Sequence, residues 1–119
     1  AGISVYGTLD VPPDPYAGRS AKFFEEIARV DVRAAWAKVG TRVQVLHGEF
    51  DESTRRSDHE RIARIVNESG SGSAEHRELA GLDHCWTRQA SMEASHNNCG
   101  RGAAASDLSD AILEFLKAN

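Results

Sequence analysis

The sequence predicts an α/β domain, and two observations carry the prediction. β-prone segments alternate with segments whose apolar residues recur at helical spacing. The best β-prone segment, RVQVLHG at residues 42 to 48, has the aliphatic character of a strand buried on both faces of a parallel sheet. The order strand, helices, strand, helix, strand, helix favours three parallel strands flanked by helices.

Each element follows from its own residues. ISVY, residues 3 to 6, is a short β-prone run closed by Gly7, and the span TLDVPPDPY after it carries all three prolines, so a strand is followed by a loop. Phe23, Phe24, Ile27, Ala28 and Val30 give a helical stripe. Asp31 can cap a second short helix with Val32, Ala35, Trp36 and Val39 on its apolar face, stopped by Gly40. After the strand 42 to 48, Ser57-Asp58-His59-Glu60 has the pattern of a capping box. Ile62, Ala63, Ile65 and Val66 supply the buried stripe of that helix, and SGSGS at 69 to 73 ends it as a surface loop. AEHRELAG, residues 74 to 81, is a weaker third strand, and a polar loop runs on through SHNNCGRG. The last helix starts near Ser106, with Asp107 and Asp110 in its favourable first turn and Leu108, Ala111, Ile112, Phe115 and Leu116 on one face.

Composition narrows the partners. A net charge of -4 with no Lys/Arg block gives no electrostatic reason to expect nucleic acid or an anionic membrane surface. No apolar run approaches the roughly 18 residues of a membrane span. Small molecules or proteins are the expected partners, and no cofactor is expected. At 119 residues the chain makes one compact domain or a piece of one. The opening AGISVYG lacks the features of a signal peptide and begins in a strand, so localisation stays open.

In open parallel sheets, catalytic groups collect just beyond the carboxyl ends of strands. Two loops here qualify: LHGEFDE places Asp51 after the best strand, and LAGLDHCW places His84 after the next. Glu52 is a weaker candidate for the acid. A carboxylate and an imidazole from adjacent loops can form the pair in which the acid fixes the tautomer of the base. Asp83 is expected to stabilise its own turn through nearby backbone amides. Trp86, beside His84, is a packing anchor or the wall of a substrate pocket. His47 is expected to be buried or hydrogen-bonded, and His59 exposed.

VQVLHGEFDE and AGLDHCW, in this order with a helix between them and DLSDAILEFL closing the chain, resemble the C-terminal part of the α/β-hydrolase family. The resemblance implies that residues 1 to 119 are the last part of that fold, with 8 to 40 in the region where the family often inserts a cap or lid. It implies Asp51 as the acid and His84 as the base of a Ser-Asp-His triad acting on an ester, amide or related acyl substrate. The family's G-x-S-x-G elbow occurs nowhere in the chain. The nucleophile and oxyanion hole are therefore expected in sequence upstream of Ala1. A complementary N-terminal segment or chain, or a second copy joined through an exposed sheet edge, is the expected macromolecular partner. Alternatively the chain is a non-catalytic remnant or an interaction module.

Two other arrangements compete at the histidine loop. His84, Cys85, His96 and Cys99 offer nitrogen and sulfur ligands for zinc, at a spacing that matches no standard zinc arrangement. Cys85 and Cys99 can instead form a disulfide, closing a loop of about 15 residues worth on the order of 3 kcal/mol.

Overall fold

Strand β1 (Arg42–Gly48) is the axis of the fold in the computed structural model, which describes residues 18–118. It pairs in parallel with β2 (Ser73–Leu79), Arg42 opposite Ser73 and Gly48 opposite Leu79. Helix α3 (Arg56–Ser69) connects the two. The first expected strand, ISVY, lies outside the described residues, and the second and third form the two-stranded parallel sheet described.

Both faces of β1 are covered, which explains why its sequence does not alternate cleanly. On one face Val45 packs with Ile62 and Ala63 of α3, flanked by Val43, Ala74 and Trp36. On the other, Leu46 packs beside Leu79, Leu82 and Ala111, the last from α5 (Asp107–Lys117). Fully burying an aliphatic side chain contributes roughly 1.5–3 kcal/mol, and Val66 and Leu82 are fully buried. The four apolar residues expected on the α3 stripe, Ile62, Ala63, Ile65 and Val66, are all buried. α5 is covered less than expected: Ala111 is buried, but Ile112 and Leu116 are exposed.

Capping decides most helix ends. α1 (Ala21–Ala28) is capped by the Ser20 hydroxyl, which accepts from the Phe23 amide. α2 (Val32–Ala37) is capped as expected by Asp31, which accepts from the Ala34 amide at 2.8 Å. The capping box expected at Ser57 does not form. α3 begins earlier, with Arg55 at the cap position and no side-chain cap, so Ser57 already lies inside the helix. The chain enters early because Ser53 and Thr54 are bound to Asp51 just upstream. Gly70, at φ 72°, ends α3 in the left-handed conformation that glycine adopts without steric cost.

The stretch expected as one polar loop is ordered differently. Thr87–Arg88 (β3) and Ala103–Ala104 (β4) form a two-residue antiparallel ladder, and Met92–Asn98 forms α4, capped by Ser91. A seven-residue helix reading MEASHNN has no apolar stripe, so periodicity does not reveal it.

Three histidines meet between β1, β2 and α3. The ring centroids of His47 and His59 are 4.8 Å apart, and each lies 6.4 Å from that of His76. His47 is buried as expected, but His59, expected to be exposed, is only 3% exposed because its edge of α3 faces β1. Its Nδ1–H donates to the Arg55 carbonyl. Burial, and then the neighbouring His59, holds the pKa of His47 below its ordinary value of 6.5, while Asp51 and Glu78 pull the other way. Burial does the same to His76, against the opposing pull of Glu60. The unfolded chain therefore binds protons here that the folded chain refuses. Stability from these imidazoles is present above pH 6.5 and is lost as pH falls from there through the folded pKa values. The urea midpoint should drop between about pH 7.5 and pH 5, and drop less steeply in His47→Phe. An equal pH dependence in both proteins would contradict this reading.

Candidate active site

Because β1 and β2 run in parallel, their carboxyl ends lie side by side and so do the loops that follow. Backbone bonds join these loops: the Glu49 amide donates to Leu79 O at 3.0 Å and the Phe50 amide to Leu82 O at 2.9 Å. The Glu49 carboxylate accepts from the Gly81 amide at 2.7 Å. Gly48 makes the close approach possible. A Cβ at that position would stand 2.6 Å from Leu82 O and 2.8 Å from Asp83 O.

Asp51 is 7% exposed and fully engaged. Its Oδ1 accepts from the amides of Ser53 and Thr54 at 2.8 and 3.0 Å. Its Oδ2 accepts from the Thr54 hydroxyl at 2.6 Å and from His84 Nδ1 at 3.0 Å. Burial works to raise its pKa, but the hydrogen bonds from Thr54, His84 and Ser53 outweigh burial and hold the carboxyl below its ordinary range. Asp51 is therefore ionised at neutral pH and can only accept, which assigns the proton to Nδ1 of His84. Nε2 of the neutral ring is left with its lone pair, and the side chain is 41% exposed.

The histidine loop is shaped by Asp83. Its carboxylate is completely buried and accepts from the Thr87 amide, the Thr87 hydroxyl, the Gln89 side-chain amide and the Gly100 amide, all between 2.7 and 3.0 Å. Burial pushes its pKa up and the bonds from Thr87, Gly100 and Gln89 more than reverse this, leaving it well below the carboxylate range. Asp83 therefore has the local role expected of it. The turn it organises places Trp86 at φ 63°, a left-handed conformation unusual for a bulky side chain. The Trp86 ring packs half-buried against the cluster of Leu79, Leu82 and Ala111.

Helix α4 touches both loops. His96 Nδ1 lies 2.6 Å from the Glu52 carboxylate, beside Asp51, and Cys99 Sγ lies 3.0 Å from Cys85 Sγ, beside His84. These contacts separate the four zinc ligands weighed above: His84 turns to Asp51 and His96 to Glu52. Asp83, Cys85 and Cys99 do bring ligand atoms within 4.8 Å of one another, but four donors already occupy the Asp83 oxygens. Thr54 and α4 are the parts of the site that sequence reasoning misses. For Thr54 a signal exists, since an Asp followed by two or three residues with free amides is the local pattern of a carboxylate-closed turn.

The arrangement can take up a proton. An ionised, hydrogen-bonded carboxylate holds Nδ1–H of His84, so in the neutral form of the ring Nε2 carries the lone pair that can accept, and the carboxylate stabilises the imidazolium that results. Among the described residues, the surface clefts around Arg42 and Phe115 lie elsewhere and include none of Asp51, His84 and Trp86.

Gly48→Ala should force the histidine loop away from the end of β1, lowering stability by roughly 1–3 kcal/mol. Urea unfolding measures this, and an unchanged midpoint would show that the two loops do not depend on the close approach at Gly48.

Comparison with known proteins leaves the site to be judged on its geometry alone: no family model, no curated protein and no solved structure matches the chain.

Proposed function

We propose that the chain supplies the acid and base of a serine hydrolase triad acting on an ester, amide or related acyl substrate. The observation that carries the proposal is the 3.0 Å contact between Asp51 Oδ2 and His84 Nδ1, with Asp51 buried and the imidazole partly open. In this reading Nε2 of His84 takes the proton of an attacking serine hydroxyl and returns it to the leaving group. Asp51 stays ionised, fixes the ring and offsets the charge formed on it. Trp86, half-buried beside His84, forms one wall of the acyl pocket. With no G-x-S-x-G in the chain, the nucleophile and oxyanion amides come from a complementary segment or chain, as part of an α/β-hydrolase fold.

A non-catalytic interaction module is the second reading, favoured by a specific observation. Among the described residues β1 and β2 pair only with each other, and a strand of another segment or copy could extend that two-stranded sheet. No helix among the described residues is long and apolar enough to cross a membrane.

The test is hydrolysis of short-chain p-nitrophenyl esters by the protein as naturally expressed, purified with every chain that accompanies it. His84→Ala should lower kcat/KM roughly 1,000-fold or more. Wild-type turnover in that variant would remove the hydrolase reading and leave the interaction module.

A further inference from the structure

The sulfurs of Cys85 and Cys99 lie 3.0 Å apart, within about 1 Å of disulfide bonding distance. Both are free thiols, Cys85 exposed and Cys99 partly so. Three features outside the sulfurs hold them together. Gly100, next to Cys99, is anchored by its amide on the buried Asp83 carboxylate. A Cβ on Gly100 would stand 3.2 Å from Cys85 Cβ, and the backbone there has φ 78°, so glycine suits both the close approach and the conformation. The Gln89 side chain adds a bond to the carbonyl of Asn98, the last residue of α4. The other groups that would join this pair on a zinc ion are engaged elsewhere: His84 with Asp51, His96 with Glu52, and Asp83 with four donors.

We propose that Cys85 and Cys99 form a thiol–disulfide exchange site that takes a low-molecular-weight disulfide as oxidant and closes into an internal disulfide fastening α4 to the histidine loop. The inference does not depend on hydrolase chemistry. Either thiolate can attack first and the internal bond is the same; in the order that starts from Cys99, two steps complete it. The Cys99 thiolate attacks one sulfur of the small disulfide, whose S–S bond breaks and releases one small thiolate. Cys85 then loses its proton and attacks the Cys99 sulfur, forming the internal bond and releasing the second small thiolate. The two protons lost by the protein end on the two small thiols, and the two electrons lost reduce the small disulfide. The product ties the loop that bears His84 to a helix whose His96 already reaches the acid loop through Glu52.

The experiment is intact-mass analysis of the chain after equilibration in an oxidising glutathione buffer, with tryptic mapping under non-reducing conditions. The expected product has lost two hydrogens and joins the peptides ending at Arg88 and Arg101. Its Tm should exceed that of the reduced chain by roughly 10 °C. Cys85→Ser and Cys99→Ser should each stop at a single glutathionyl adduct with no internal bond. A wild-type chain that keeps both thiols, carries two glutathionyl groups, or cross-links only between molecules overturns the proposal.

Discussion

The Asp51 carboxylate is the constraint around which the site end of the molecule is built. A buried carboxylate is tolerated only if its charge is met by donors, and these come from two places, the turn just after β1 and the loop after β2. The amides of Ser53 and Thr54 bend the chain after β1, and the Thr54 hydroxyl secures that bend. His84 arrives from the far side, after β2. Parallel pairing of β1 with β2 brings the two loops to one end, and the small Gly48 lets them touch. Register, turn and tautomer therefore answer to one negative charge.

Asp83 repeats the device one residue before His84. It is less exposed than Asp51 and gathers four donors from a loop, a short ladder and the segment following α4. The two carboxylates divide the work: Asp83 shapes the loop, and Asp51 orients the side chain that the loop presents. Both carboxylates are buried, but their partners differ. All of Asp83's partners are structural, whereas one of Asp51's partners is an imidazole that reaches the surface.

Much of this is legible in the sequence because strong local signals agree with the final fold. The aliphatic run of β1, the stripe of Ile62, Ala63, Ile65 and Val66, the Asp31 cap and the Asp51 and His84 loops each have a physical cause that acts over a few residues. The misses are tertiary. His59 looks like a surface residue of a first helical turn, and only the packing of α3 on β1 buries it beside His47. Ser57 has capping chemistry but enters the helix too late, because Asp51 has already set where α3 begins. Helix α4 lacks an apolar stripe and is held instead by its Ser91 cap, by Glu52 and by the Cys85 contact. Such contacts, distant in sequence, leave no periodic trace.

The most direct measurement is the tautomer of His84, read from two-bond proton–nitrogen correlations of the labelled chain at a pH where the ring is neutral. Hydrogen bonding to the ionised Asp51 requires the proton on Nδ1 and a bare Nε2, and Asp51→Asn should shift the ring toward the opposite tautomer. A neutral His84 protonated on Nε2, or a tautomer indifferent to Asp51→Asn, would contradict the pairing on which the site rests.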